Sequence, residues 1–298
     1  MDGPTLVVDR QCETAEGPLW HPGHGLLYWV DIPTGTVFSF DPVRRQYAQV
    51  YRDPDRPIGG ITLERDGRLL LFQSAGVVRV LDPRAGKTEQ MHCASPENYT
   101  ARFNDVTADP QGRVYAGVMP DSSRDMPGKL VRIDRDGTVT HIDDCRQPNG
   151  MAFSPDHTAF YFTDTGDVAA GEPGSIIQYD YDEATGVLSK PTTLVATDAL
   201  SGYPDGLAVD TQGHLWSAFW DGHALRRFSP SGELVAEVKF PPGKVSSVAF
   251  GTTAYDRAFV TTACPTSRRR GGPGAGGLYM VDLDARGRPP YRSALMCS

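Results

Sequence analysis

Apolar and polar positions along the chain form short runs of the kind that β-strands produce. Leu69-Leu70-Leu71-Phe72 and Phe160-Tyr161-Phe162-Thr163 each follow a turn, Arg65-Asp66-Gly67 and Ser154-Pro155-Asp156, and each ends at another break. Runs of about four to eight aliphatic, β-branched or aromatic residues between such turns are typical of strands. No window sustains a 3.6-residue apolar period with capping residues, so we expect few helices.

These runs belong to a unit that repeats six times. Each unit opens with a polar residue or glycine before an apolar run, and the first positions are Glu16, Gly59, Asn104, Asn149, Asp205 and Ser246. The intervals between successive first positions are 43, 45, 45, 56 and 41 residues. Three or four strands per unit, repeated six times, predict an all-β, six-bladed β-propeller. A pair of β-sandwiches or another solenoid is the alternative fold.

The repeat also predicts how the chain is organised as a whole. We expect residues 1–298 to form one propeller domain, because a radial repeat does not need a second hydrophobic core. The run Thr5–Asp9 lies outside the six units, and we expect it to complete the last blade and close the ring. The fourth unit is longer than the others, and we expect its extra residues in loops around 167–173 and 183–190.

The first positions of the units predict a polar site. In a propeller they occupy equivalent places near the central axis, so the side chains of Glu16, Asn104, Asn149 and Asp205 should converge at one end of the channel. Turn preference accounts for Gly59 and for Ser246. It does not account for two carboxylates around one axis, because buried like charges repel unless a cation neutralises them. Such oxygen donors suit a hard divalent ion such as Ca²⁺, Mg²⁺ or Mn²⁺.

Composition narrows the classes of partner and the compartment. The chain has 29 basic and 37 acidic residues, which argues against a nucleic-acid-binding groove. It has no apolar stretch long enough for a membrane helix and no visible signal peptide. Its five scattered cysteines suit a reducing compartment, so we expect a cytoplasmic protein without nucleic-acid or membrane partners. We expect Arg268–Arg270 in a solvated basic loop.

Four segments in a fixed order resemble a known family. They are Ala15-Glu16-Gly17-Pro18, Arg102-Phe103-Asn104-Asp105, Pro148-Asn149-Gly150-Met151 and Pro204-Asp205-Gly206-Leu207. From about residue 12 to residue 264 the chain resembles the SMP-30/gluconolactonase/regucalcin family, the lactonases of the senescence marker protein-30 type. The resemblance implies a six-bladed propeller and a metal-dependent hydrolase of sugar lactones.

The resemblance also implies roles for individual residues. It implies metal ligation by Glu16, Asn149 and Asp205, with Asp205 also acting as the catalytic base. It implies substrate contacts from Arg102 and Asn104. Many family members carry an acidic substrate contact shortly after a Gly-x-Met segment, and here Asp121, or Ser122, stands in its place.

One divalent ion and one small substrate are therefore expected. Ca²⁺ is the favoured ion, with Mg²⁺, Mn²⁺, Zn²⁺ and Fe²⁺ as alternatives. The expected substrate is a small lactone. We expect the protein to be a monomer or a small homo-oligomer. Three other functions stay open: a hydrolase of another ester, of the organophosphate type, an isomerase or cyclase that uses the metal as a Lewis acid, and a non-catalytic metal-binding propeller. Arg102 beside the ligands disfavours the last, because a structural ion would not need it.

Overall fold

The strands form six sheets around a central channel. The computed structural model describes residues 3–91, 101–198, 201–264 and 271–296. Each sheet contains four antiparallel strands, and one sheet has a short fifth strand that pairs in parallel. The innermost strand of each blade contacts the innermost strands of its two neighbours. This closed ring of contacts confirms the predicted six-bladed β-propeller.

The first three blades follow β1 (Thr5–Val8) along the chain. Blade 1 contains β2 (Ala15–His21), β3 (Leu26–Asp31), β4 (Thr36–Asp41) and β5 (Gln46–Arg52). Blade 2 contains β6 (Ile58–Glu64), β7 (Leu69–Gln73), β8 (Val78–Asp82) and β9 (Lys87–Met91). Blade 3 contains β10 (Phe103–Ala108), β11 (Val114–Val118), β12 (Gly128–Ile133) and β13 (Val139–Cys145), with a short 3₁₀ turn at Ser122–Arg124.

The other three blades complete the ring. Blade 4 contains β14 (Pro148–Phe153), β15 (Ala159–Asp164), β16 (Ser175–Asp182) and β17 (Val187–Ala196). Blade 5 contains β18 (Tyr203–Val209), β19 (Leu215–Trp220), β20 (Ala224–Phe228) and β21 (Leu234–Lys239). Blade 6 contains β22 (Val245–Gly251), β23 (Arg257–Thr262), β24 (Leu278–Asp282) and, at its outer edge, β1.

The N-terminal strand closes the ring, as the repeat predicted. β1 pairs antiparallel with β24, and Thr5 faces Met280 while Leu6 faces Tyr279. A second link joins the same two blades, because the hydroxyl of Ser246 in blade 6 donates to the carbonyl of Ala15 in blade 1 at 2.6 Å. The first and last blades are therefore held together by backbone pairing and by a buried side chain.

The extra length of blade 4 is only partly in loops. Residues 167–173 form a loop in which Asp167 pairs with Glu172 through an isolated bridge. The prediction of a loop over residues 183–190 is wrong at its C-terminal end, because β17 already begins at Val187. β17 includes Pro191. An outermost strand tolerates proline, because a backbone N–H that faces away from the sheet has no hydrogen-bond partner in the sheet to lose.

A C-terminal segment crosses the far end of the channel, and the repeat gave no sign of it. There β25 (Arg292–Ser293) pairs in parallel with the end of β6. The guanidinium of Arg288 donates to the carbonyls of Phe153 and Pro155, and the amide of Ala294 donates to Gly112. These contacts link blades 2, 3 and 4 at the end where the innermost strands finish.

The apolar core lies between the blades. Buried side chains form six clusters, and each joins two neighbouring blades, as Trp216 of blade 5 does with Phe250 of blade 6. Cys12 and Cys145 are buried free thiols within these clusters, and Cys264 is also a buried free thiol. Cys93, Cys297 and the predicted basic loop at Arg268–Arg270 lie outside the described residues. Among the residues that are described, no helix has the length and hydrophobicity that crossing a membrane requires.

Candidate active site on the propeller axis

All six innermost strands share an irregularity at the start of the repeat. In blade 1 the pairing of β2 with β3 shifts register between Glu16 and Leu19, and the innermost strands of the other five blades shift at equivalent places. A β-bulge bends its strand and redirects a side chain. The bulges therefore account for polar side chains that leave the sheet and enter the channel at this level.

Glycine beside these positions is required by close packing of the innermost strands. A Cβ atom on Gly59 would lie 1.9 Å from the carbonyl oxygen of Phe103. A Cβ atom on Gly206 would lie 2.1 Å from the hydroxyl of Ser247. Gly59 is therefore structural, and so is Ser246, whose hydroxyl bonds one blade to the next. The remaining four first positions are available for a site.

Those four side chains converge, as predicted. They line one cavity of about 240 Å³ at the entry end of the channel, together with Arg102. The remaining wall residues come from blades 1, 3, 4 and 5 and are Thr14, Ile32, Met119, Gln147, Thr165, Val168 and Trp220. The cavity is thus polar and acidic at its base, with apolar and aromatic side chains on its walls.

A chain of hydrogen bonds fixes the amides at the base of the cavity. The guanidinium of Arg102 donates to the side-chain oxygen of Asn104 at 2.5 Å, and Asn104 donates to the side-chain oxygen of Asn149 at 2.6 Å. Asn149 donates in turn to the hydroxyl of Thr165 at 2.7 Å, and this hydroxyl donates to the carbonyl of Pro204 at 2.8 Å. The amide N–H groups of Asn104 and Asn149 thus have acceptors within the protein, and these bonds fix the orientation of both side chains.

Three carboxylates are buried around the axis. Glu16 and Asp205 are each 4% exposed and Asp105 is 9% exposed. Burial raises the pKa of Glu16 and of Asp205 well above the ordinary values, and repulsion by the neighbouring carboxylates raises both pKa values further. Burial also raises the pKa of Asp105 to about 7, although Arg102 opposes this. No lysine or arginine of the described residues lies within ion-pairing distance of these three carboxylates.

The donor set fits a hard divalent ion. In the part of the chain that the structure describes, no group of three or more His, Cys, Asp or Glu side chains is placed to hold a metal. The set on the axis is mixed instead, with carboxylates from Glu16 and Asp205 and an amide oxygen from Asn149. Oxygen donors of this kind suit Ca²⁺ or Mg²⁺, and two positive charges would offset the buried carboxylates.

Asp121 is not brought to this cavity. Its carboxylate accepts hydrogen bonds from the backbone N–H and the hydroxyl of Ser123, at 3.1 and 2.5 Å, and it caps the 3₁₀ turn. Met119, two residues before Asp121, is the described residue of this segment that lines the cavity. The role of Asp121, or of Ser122, as a substrate contact stays a prediction.

Replacing Asp105 by asparagine should stabilise the metal-free protein, and more so as the pH rises. The folded-state pKa of Asp105 is raised to about 7, so the folded protein holds this proton more tightly than the unfolded chain does. Stability due to Asp105 is therefore present at low pH and is lost between about pH 4 and pH 7. The difference in Tm between Asp105→Asn and wild type, measured at pH 5, 6, 7 and 8 after chelation, should widen up to pH 7 and then level off. A constant difference would contradict the assigned burial.

The fold and the site together define a class: a rigid propeller with a buried, acidic, oxygen-rich site and one arginine at the end of its axis. Residues 14–264 match the family model described as the SMP-30/gluconolactonase/LRE-like region. The chain belongs to this family, and the prediction made from its motifs is confirmed, as is the lactonase class of enzyme that the motifs implied.

The matching relatives extend over nearly the whole chain. Pentonolactonase XacC of Haloferax volcanii is 39% identical, and the alignment covers 97% of each chain. Regucalcin of Bos taurus is 29% identical, with 96% of each chain covered. The similarity to both relatives therefore extends over nearly the whole length of each chain.

Solved structures show the same fold. A luciferin-regenerating enzyme superimposes with a TM-score of 0.85 at 25% identity and covers 98% of this chain and 100% of its own. A calcium-binding regucalcin from Agrobacterium tumefaciens also has a TM-score of 0.85, at 23% identity, and covers 98% of this chain and 97% of its own. At that identity the second match bears on the fold alone.

Several residues of the site were missed from the sequence. Gln147 lies two positions before Asn149, as Arg102 lies before Asn104, so the repeat itself could have indicated it. Thr165 directly follows β15 in blade 4, and Trp220 is the last residue of β19 in blade 5. The indole of Trp220 forms part of the aromatic wall of the cavity.

Proposed function

We propose that this protein is a metal-dependent lactonase that opens a small sugar lactone, with a pentonolactone as the first substrate to test. The observation that carries the proposal is the convergence of Glu16, Asn149 and Asp205 on one cavity. The two carboxylates are buried, and among the described residues no lysine or arginine forms an ion pair with them. The 39% identical pentonolactonase of Haloferax volcanii supports the choice of substrate.

Glu16, Asn149 and Asp205 would hold the ion, with Ca²⁺ as the first candidate and Mg²⁺, Mn²⁺, Zn²⁺ or Fe²⁺ as others. When bound, a divalent ion supplies a Lewis acid for the lactone carbonyl and acidifies water. Asp205 is buried at the base of the cavity, where its carboxylate would accept the proton of the attacking water. Asn104 and Thr165 orient Asn149 through the hydrogen-bond chain.

Arg102 orients the substrate. One nitrogen of its guanidinium is engaged by Phe103 and Asn104, at 3.1 and 2.5 Å. A guanidinium carries five N–H donors in a fixed fork, so the others can bind the ring oxygen or hydroxyl groups of a lactone in the cavity. Because the arginine is anchored by its own strand, its position is set before a substrate enters.

A panel of substrates tests the proposal directly. Purified protein with added Ca²⁺, Mg²⁺, Mn²⁺ or Zn²⁺ is given a pentono-1,4-lactone, a glucono-1,5-lactone and an organophosphate ester, and proton release is followed. We expect the sugar lactones to be opened with at least one of the metals. Turnover of the organophosphate alone would favour the ester-hydrolase alternative. No turnover of any of these substrates with any metal would contradict the proposal.

Removing the hydroxyl that holds Asn149 should weaken metal binding. In Thr165→Val the amide of Asn149 loses its acceptor at 2.7 Å, and loss of such outer contacts typically weakens metal affinity by about 10–100-fold. The matched control is Thr163→Val on β15, because the Thr163 hydroxyl is buried and has no hydrogen-bond partner among the residues that the structure describes. Metal titration by calorimetry should show weaker binding for the first variant only. Equal affinities would show that Thr165 does not position the ligand.

A further inference from the structure

The repeat places a second layer of side chains above the acidic base of the cavity. Two positions before the first position of each unit stand Thr14, Pro57, Arg102, Gln147, Tyr203 and Lys244. Each of these residues directly precedes or begins an innermost strand, so together they lie at the entry end of the channel. Three of them line the cavity, namely Thr14, Arg102 and Gln147, and we call these three the upper polar layer.

Gln147 is held so that its side chain is free for a ligand. Its backbone N–H donates to the carboxylate of Asp164 at 3.1 Å, and its carbonyl accepts from the N–H of Thr165 at 3.0 Å. Among the described residues its side-chain amide has no hydrogen-bond partner, although it lines the same cavity as Asn149 and Asp205. A fixed backbone with an uncommitted amide is the arrangement of a binding residue.

Thr14 faces Gln147 from the opposite side of the ring. It precedes blade 1 and Gln147 precedes blade 4, so three blades separate them in either direction. The backbone N–H of Thr14 donates to Asp31 at 3.0 Å, which fixes its position, and its hydroxyl has no partner among the described residues. The cavity therefore has an uncharged polar group on both sides of its axis.

The chemistry of this layer matches hydroxyl groups. The glutamine amide and the threonine hydroxyl each donate and accept hydrogen bonds, as an alcohol does, and the guanidinium of Arg102 adds N–H donors for which an alcohol oxygen is an acceptor. The walls between them include Met119, Val168 and Trp220, which suit the C–H faces of a small ring. Ring faces and several hydroxyl groups together describe a polyhydroxylated lactone.

We propose that Gln147, with Thr14 opposite, binds hydroxyl groups of the substrate and sets a preference for polyhydroxylated over unsubstituted lactones. The inference rests on the proposed lactonase function and names the substrate feature that the same site selects. Gln147 acts here by contact with the substrate and has no part in water activation.

The test compares two lactones that differ only in hydroxyl groups. The kcat/KM of a pentono-1,4-lactone and of γ-valerolactone is measured for wild type and for Gln147→Leu, which keeps the volume and removes the amide. The ratio of the two kcat/KM values should fall by about tenfold through the KM of the hydroxylated substrate, the size expected for one hydrogen bond. Thr14→Val should lower the same ratio, and the double variant should combine both effects.

Two controls separate this inference from the proposed function. Gln111→Leu makes the same change at the surface, where the Gln111 amide donates to Glu183, and it should leave the ratio unchanged. Calorimetry with 1,4-anhydropentitol, a ring that cannot be hydrolysed, should show about tenfold weaker binding to Gln147→Leu than to wild type. If wild type opens neither lactone, the proposed function is wrong. If Gln147→Leu keeps the wild-type ratio and binds the polyol as tightly, the role of Gln147 is wrong.

Discussion

Asp205→Asn should lower lactone turnover by about 10²–10⁴-fold at saturating metal, the usual contribution of a positioned general base. The change keeps a ligand oxygen and nearly the same volume, and it removes a negative charge and a proton acceptor. Asp205 is 4% exposed at the base of the cavity, so no bulk water can readily replace it as the acceptor. The variant should still fold, because Asp205 lies on the channel wall and outside the apolar clusters between the blades.

The assay must separate loss of the base from loss of metal. Metal affinity should also weaken in Asp205→Asn, because the site loses a negative charge, so kcat is compared only where further metal has no effect. Asp144→Asn, at an exposed carboxylate 57% accessible to solvent on blade 3, is the matched control and should keep wild-type turnover. A wild-type kcat in Asp205→Asn at saturating metal would show that another group accepts the proton.

Exhaustive chelation should abolish turnover, and a divalent ion should restore it. Burial raises the pKa values of Glu16, Asp105 and Asp205, and repulsion by neighbouring carboxylates raises those of Glu16 and Asp205 further, so a metal-free site is poor in the ionised base that the mechanism needs. Chelation should therefore remove the Lewis acid and also protonate part of the carboxylate cluster. Turnover and metal content, measured on the same sample before and after chelation, give the result. Intact turnover after verified metal loss would contradict the metal-dependent mechanism.

The repeat predicted the blades because each unit carries its own turn and strand pattern. It also predicted the convergence of Glu16, Asn104, Asn149 and Asp205, since equivalent positions in a closed ring must meet at one level. Thr165 and Trp220 could not be predicted in this way. They reach the cavity from the ends of second strands, and their approach depends on the twist of each blade.

The features outside the repeat were the least predictable. The C-terminal segment that carries Arg288 and β25 bonds to three blades through backbone carbonyls, and such contacts leave no pattern of residue types in a sequence. The predicted loop at residues 183–190 was wrong at its C-terminal end. Proline usually marks a break between strands, yet Pro191 lies within an outermost strand, which tolerates it. The single-domain assignment over 1–298 and the cytoplasmic location stay predictions.

The position of the ion tests the central claim most directly. Crystals grown with Mn²⁺, at a concentration where lactone turnover is saturated, would locate the metal by anomalous scattering. The proposed mechanism predicts one peak on the propeller axis, within about 2.0–2.6 Å of oxygen atoms from Glu16, Asn149 and Asp205. A peak elsewhere in the molecule, or none at the axis under these conditions, would contradict it.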